Sequence, residues 1–345
     1  EPDEQTVVTF AYTLTLSEES LGYGRLAKYE DVLSLSHAYP TLSVYQEGVW
    51  LEDFPPELGD PLVAETSLFE VVISAPKDWQ VITTGQTLGQ TLTRNRQRLS
   101  ISTGPVRDFY LAATLEFNEV NKQVGETTVR VFAPEKFSQV ATSVLETTAK
   151  ALTLFSDLYT PYPYKEFDIV AIPVDAGGIE YPGVIVITSG LLANSFGRLG
   201  SVVVHEVAHQ WSFNLVGSDQ INSPWLDESL TQYLTWRFQK EANSEFITGF
   251  ERYWQELREA SPDMPIGLPV AAYDERSYRG IVYGKGLFFF KALAEEIGQE
   301  NFDEALRSYF ETYTWRFVSA GELEGWLERS CTCELSMLFD EWVGK

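Results

Sequence analysis

Cysteine, histidine, basic residues and long apolar runs are all scarce in this sequence, and each scarcity removes a class of function. Two cysteines occur in 345 residues, Cys331 and Cys333, one residue apart. A disulfide framework and a four-cysteine metal site are therefore excluded. The expectation for such close neighbours is a pair of thiols rather than a strained bridge. No segment approaches the roughly 18 to 20 apolar residues that span a bilayer, so no transmembrane segment is expected. Nothing near Glu1 has the layout of a signal peptide. The chain opens without Met, which leads us to expect a processed or trimmed product with any export signal or anchor upstream. An extracytoplasmic location is the expectation, with the cytoplasm as the alternative. Lys and Arg number 25 against 50 Asp and Glu, a net charge of −25. Such a surface repels phosphate backbones, and no nucleic-acid partner is expected.

What is present is ordinary globular composition, 44% hydrophobic and 22% charged, which excludes wholesale disorder. The length allows about two domains at roughly 150 residues each. The first third reads as β. Residues 6–16, 67–74 and 98–102 alternate apolar and polar, and the segments 51–61 and 75–79 carry turn residues. Several strands without a convincing helix suggest an antiparallel sandwich or saddle. Another strand, 127–132, follows. The period then changes: Val140, Val144, Leu145, Ala149, Leu152 and Phe155 share one helical face, closed off by Pro161 and Pro163. Apolar strands at 167–172 and 183–187 come next, and helices dominate after residue 190. The boundary is expected near residue 118, giving domains 1–118 and 119–345.

Only three histidines occur, and two of them, His205 and His209, stand four apart. On a helix, residues four apart project from one face, so both rings can reach a single ion. Glu206 lies about 100° further round, placed to contact a water rather than to ligate. This His-Glu-x-x-His spacing is the pattern of zinc peptidases, and it arises by chance in roughly one chain of this length in a hundred. A catalytic zinc needs a third protein ligand and an open position. Glu228 is the candidate, in the second turn of a helix for which Ser223 reads as the N-cap and Pro224 as the first residue. The set His205, His209 and Glu228 suits one Zn²⁺ better than Mg²⁺ or Ca²⁺. His37 has no motif around it and is expected to play an ordinary surface or core role.

On these residues the sequence resembles the aminopeptidase N-like zinc metallopeptidases of the gluzincin class. Gly177-Gly178-Ile-Glu180-Tyr stands where that family has Gly-x-Met-Glu-Asn, and Tyr278 to Gly286 resembles the segment holding the family's catalytic tyrosine, here Tyr283. The resemblance implies an α+β chain: an N-terminal antiparallel β domain, shortened relative to the family, followed by a thermolysin-like, mainly helical zinc-peptidase domain with a small mixed sheet. It implies hydrolysis of N-terminal residues from peptides with a free N-terminus. Glu206 would be the general base, Tyr283 the donor to the oxyanion, and Glu180 the acceptor of the substrate's α-ammonium. The bare backbone of Gly177 and Gly178 would let a peptide come close. Departures from the family pattern are visible. Ile179 replaces Met, Tyr181 replaces Asn, Ser229 stands where Gly is common, and Thr235 replaces a carboxylate that supports a ligand histidine. A second amine-binding carboxylate cannot be placed within residues 33–40. The missing C-terminal helical domain implies an open cleft. Two other readings remain: a thermolysin-type endopeptidase, and a non-catalytic scaffold that kept the fold.

Overall fold

The computed structural model describes residues 5–16, 25–29, 31–46, 48–51, 58–59, 62–194, 197–242, 249–260 and 263–344. Period-two alternation builds two antiparallel sheets in the first third. One has the strand order β1 (Leu26–Tyr29), β2 (Val32–Leu35), β7 (Leu111–Thr114), β4 (Gln80–Thr83). The other sets β6 (Arg96–Ser102) between β3 (Glu70–Pro76) and β5 (Gln86–Leu92). Residues 6–16 do not behave as the alternation suggests. They join no sheet, and Val7, Val8, Phe10 and Tyr12 are exposed. An alternating segment becomes a strand only when a neighbour supplies the ladder bonds and a covering face. The turn-rich segment 51–61 lies mostly outside the described residues, at 52–57 and 60–61.

The second sheet system is mixed, as the family resemblance implies. Its order is β8 (Phe117–Val124), β9 (Thr127–Pro134), β10 (Glu166–Ile172), β12 (Val184–Thr188), β11 (Gly178–Tyr181), with β9, β10 and β12 parallel. Both faces are covered. Val131, Ile169, Ile185 and Ile187 pack on the helices, and Val170, Ile172, Val184 and Val186 meet Val32, Ile82, Tyr110 and Ala112 of the first sheet. Double burial explains why residues 184–187, and 167–172 apart from Asp168, are apolar rather than alternating.

Helix α1 (Ser138–Leu158) buries the predicted face, including Val144, Leu145, Leu152 and Phe155. It packs against α2 (Leu199–His209), which in turn packs on α3 (Trp225–Glu241). Then come α4 (Phe250–Ala260), α5 (Gly286–Ile297), α6 (Gln299–Tyr313), α7 (Ala320–Cys331) and α8 (Ser336–Trp342). No helix among the described residues is long and apolar enough to cross a membrane. The expectation of free thiols at Cys331 and Cys333 is corrected: the two form a disulfide, with Cα atoms 5.2 Å apart. Thr332 between them takes a left-handed φ of 55° at the end of α7, which folds the chain back and brings the sulfurs together.

Candidate active site

Two adjacent helices, α2 and α3, bring the predicted donors to one point. His205 and His209 share a face of α2, and their Nε2 atoms are 3.1 Å apart. Glu228 Oε2 lies 3.2 Å from His205 Nε2 and 3.5 Å from His209 Nε2. One donor atom from each residue falls within a mutual 4.8 Å. Glu228 arrives slightly differently from the sequence expectation. Helix α3 starts at Trp225 with Pro224 in the N-cap place, so Glu228 sits in the first turn rather than the second.

The chemistry of this set can be tested against a metal. Glu228 Oε2 is buried and aligned with no hydrogen-bond donor, although two imidazole nitrogens face it. His209 Nδ1 is 2.7 Å from Asp227 Oδ1, which fixes its proton there and turns the Nε2 lone pair toward the shared point. Facing lone pairs and a buried carboxylate oxygen need a cation between them. The surrounding carboxylates favour positive charge at this point, whether a proton on His209 or a metal ion in its place. Burial pushes the His209 imidazole down, but Asp227, Glu180 and Glu228 around it reverse this and hold it well above its usual value. Burial pushes the Glu228 carboxyl up, and the two imidazoles outweigh that and hold it well below the carboxylate range. Two nitrogens and one oxygen fit a borderline divalent ion such as Zn²⁺.

Glu206 projects from α2 beside these donors and is buried. Glu180 lies on the edge strand β11, and one oxygen each of Glu180 and Glu206 and one His209 nitrogen also lie within 4.8 Å of one another. The two glycines face different neighbours. A Cβ at Gly178 would come 2.4 Å from Glu206 Oε1, so this position is bare to admit the Glu206 carboxylate. A Cβ at Gly177 would stand an ordinary 3.7 Å from Val202. A cleft of about 180 Å³ runs past Gly177, Gly178, His205, Glu206 and Tyr283. Glu180 borders a smaller adjoining cavity of about 20 Å³ with His37, Asp108 and Gln220. His37 holds a left-handed φ of 51° there, its Nε2 3.1 Å from Asp108 Oδ2.

Tyr283 lies in a wide helical turn, Arg279–Lys285, just before α5. Its hydroxyl donates to Glu228 Oε1 at 2.5 Å, and its ring stacks on Phe250 with centroids 4.8 Å apart. Gly280 and Gly284 let α4 close on this turn, since a Cβ at either would strike Leu257 or the Phe250 carbonyl. Ser229 is accommodated in the same way. Its hydroxyl donates to the Val282 carbonyl at 2.6 Å, and a Cβ at Gly286 would strike it.

The support for a candidate ligand histidine, His209, comes from a residue other than Thr235. Among the described residues Thr235 bonds to its own helix, at the Thr231 carbonyl, whereas His209 Nδ1 meets Asp227 and, at 3.1 Å, the Thr231 hydroxyl. Sequence reasoning missed Asp227, although a carboxylate next to a candidate ligand on a helix was a usable signal. It also missed Gln220, a loop residue with no pattern around it. Its amide nitrogen donates to Asp227 Oδ2 at 2.5 Å.

Comparison with known proteins agrees with this geometry. Residues 143–342 match the model of the Peptidase family M1 domain. Aminopeptidase M1-A of Oryza sativa subsp. japonica is 24% identical over 303 residues, covering 80% of this chain and 34% of that protein. Aminopeptidase 2, mitochondrial, of Saccharomyces cerevisiae is 25% identical over 397 residues, covering 99% of this chain and 40% of the relative. The chain thus spans about a third of the length of the curated relatives it matches. Among solved structures, an M1 zinc metallopeptidase from Deinococcus radiodurans superimposes with a TM-score of 0.64 at 22% identity. The match covers 81% of this chain and 65% of that one, and it establishes a common fold. With more than half of its residues inside the family match, the chain belongs to peptidase family M1.

Proposed function

We propose that the chain is a zinc-dependent aminopeptidase that removes the N-terminal residue from peptides with a free N-terminus, using one Zn²⁺. The observation that carries this reading is the convergence of His205, His209 and Glu228 on one point, with Glu206 and Glu180 reaching the same small volume. Zn²⁺, when bound, supplies a Lewis acid that polarises the scissile carbonyl and acidifies the attacking water. Glu206 takes the proton of that water and returns it to the departing amine. Tyr283, whose hydroxyl donates to Glu228 and whose ring stacks on Phe250, turns that hydroxyl to the developing oxyanion. Glu180 pairs with the α-ammonium and thereby selects the first residue. Among the described residues β11 stands at the edge of its sheet, the side on which an extended peptide would pair. Names of relatives agree with this assignment, among them an alanine/arginine aminopeptidase of Saccharomyces cerevisiae, 27% identical.

The test is turnover of a panel of aminoacyl amides, free and N-acetylated, with and without a chelator. Activity is expected on the free amines only, lost with the chelator and restored by Zn²⁺. Equal rates on acetylated substrates would remove the exopeptidase claim, and chelator-resistant turnover would remove the metal.

A further inference from the structure

We propose that Gln220 is a positioning residue that ties the ammonium-reading carboxylate of Glu180 to the ligand histidine His209 through Asp227. The proposal rests on the aminopeptidase reading above and adds a coupling between its two halves. Gln220 is 3% exposed and sits in the loop between α2 and α3. A primary amide offers two N–H donors on one nitrogen. One of them meets Asp227 Oδ2 at 2.5 Å, and the other reaches toward Glu180 Oε1 at 3.5 Å. The remaining oxygen of Asp227, Oδ1, stands 2.7 Å from His209 Nδ1. Three contacts through buried side chains therefore connect the carboxylate assigned to the substrate amine with the imidazole assigned to the metal.

The residue type follows from the charges. Glu180, Asp227 and Glu228 crowd this volume, so a neutral double donor separates Glu180 from Asp227 where an acid would add a fourth carboxylate and an apolar group would orphan Asp227 Oδ2. With both oxygens of Asp227 engaged, its carboxylate cannot rotate, and the orientation of the His209 ring is set. The amide of Gln220 is neutral, so its long contact adds no opposing charge at Glu180. Because the two carboxylates share one amide, a change at Gln220 moves metal affinity and amine recognition together. A residue that only packs would shift folding stability and leave both alone.

The test uses the purified chain carrying Gln220→Met, which keeps volume and removes both donors, and Gln220→Asn, which keeps the amide one methylene short. Zn²⁺ dissociation constants are read by competition with a chelator, and KM and kcat on a free-amine aminoacyl amide. Gln220→Met is expected to weaken Zn²⁺ about 10-fold and raise KM several-fold, with Gln220→Asn between it and wild type. In an Asp227→Asn background, Gln220→Met should weaken Zn²⁺ by less than about two-fold, since the link is already changed. Zn²⁺ affinity and KM within about two-fold of a competent wild type in both variants would overturn the link alone. Full additivity with Asp227→Asn would overturn it too. A wild type that binds no Zn²⁺, or that ignores N-acetylation, would overturn the link together with the functional reading beneath it.

Discussion

Gly178 and Glu206 show how a single missing side chain shapes the site. The Glu206 carboxylate occupies the space that a Cβ at residue 178 would need, and the closest approach would be 2.4 Å. Gly178→Ala should therefore push the proposed base out of line and lower kcat about 100-fold, the scale of a 1 Å misplacement. Gly177→Ala, with 3.7 Å to Val202, should stay within a few-fold of wild type. Steady-state kinetics on the same aminoacyl amide compares them, and equal losses would show that the glycines serve the peptide rather than Glu206. The identity of these glycines was legible in the chain, but their separate tasks were not. Which atom fills the space beside a glycine depends on a helix some thirty residues away.

At the scale of elements, β9 and β10 are joined by charge as well as by their ladder. Arg130 on β9 grips Asp168 on β10 with Nε–Oδ1 at 2.7 Å and Nη2–Oδ2 at 2.8 Å, and also contacts Glu166. The pair holds the guanidinium firmly charged, whereas burial pushes the Asp168 carboxyl up to about 6 against the pull of Arg130. Its folded value thus exceeds the unfolded one, about 3.9. The stability from protonating Asp168 is fully present below pH 4 and is lost as pH rises through about 6. Relative to Asp168→Asn, the wild type should lose on the order of 2 kcal/mol between pH 4 and pH 7. Urea unfolding of both proteins at the two pH values checks this, and a difference that does not change, or that grows in favour of wild type, would contradict it. The strands themselves were readable from their apolar runs. Their cross-strand charges were not, because register decides which side chains meet.

For the whole molecule, Arg107 joins the β half to the helical half. Its buried guanidinium donates to the carbonyls of Phe213 at 2.9 Å and Ala64 at 3.0 Å, and also to that of Arg316. Burial lowers its pKa to about 10, and it stays charged at neutral pH. A Cβ at Gly217 would strike the same group, so the neighbouring chain is bare to make room for it. Arg107→Met would orphan three carbonyls and should cost about 3 kcal/mol in urea unfolding. A change below about 0.5 kcal/mol would show that the halves are held by apolar contact alone. The sequence, with 25 scattered basic residues, gave no reason to single this one out.

The sequence alone was sufficient for whatever depends on short-range periodicity. The four-residue spacing of His205 and His209, the position of Glu206 between them and the face of α1 follow from the 3.6-residue repeat, and the strands of the mixed sheet from their apolar runs. Helix α3 was readable to within a residue at its start, which is why Glu228 was found but assigned to the wrong turn. Tertiary structure decided the rest, because it depends on which distant segments are packed together. Asp227 rather than Thr235 supports His209, Gln220 lies between two carboxylates, and residues 6–16 join no sheet among the described residues. The Cys331–Cys333 bridge rests on a left-handed Thr332, a backbone choice that residue type alone does not dictate.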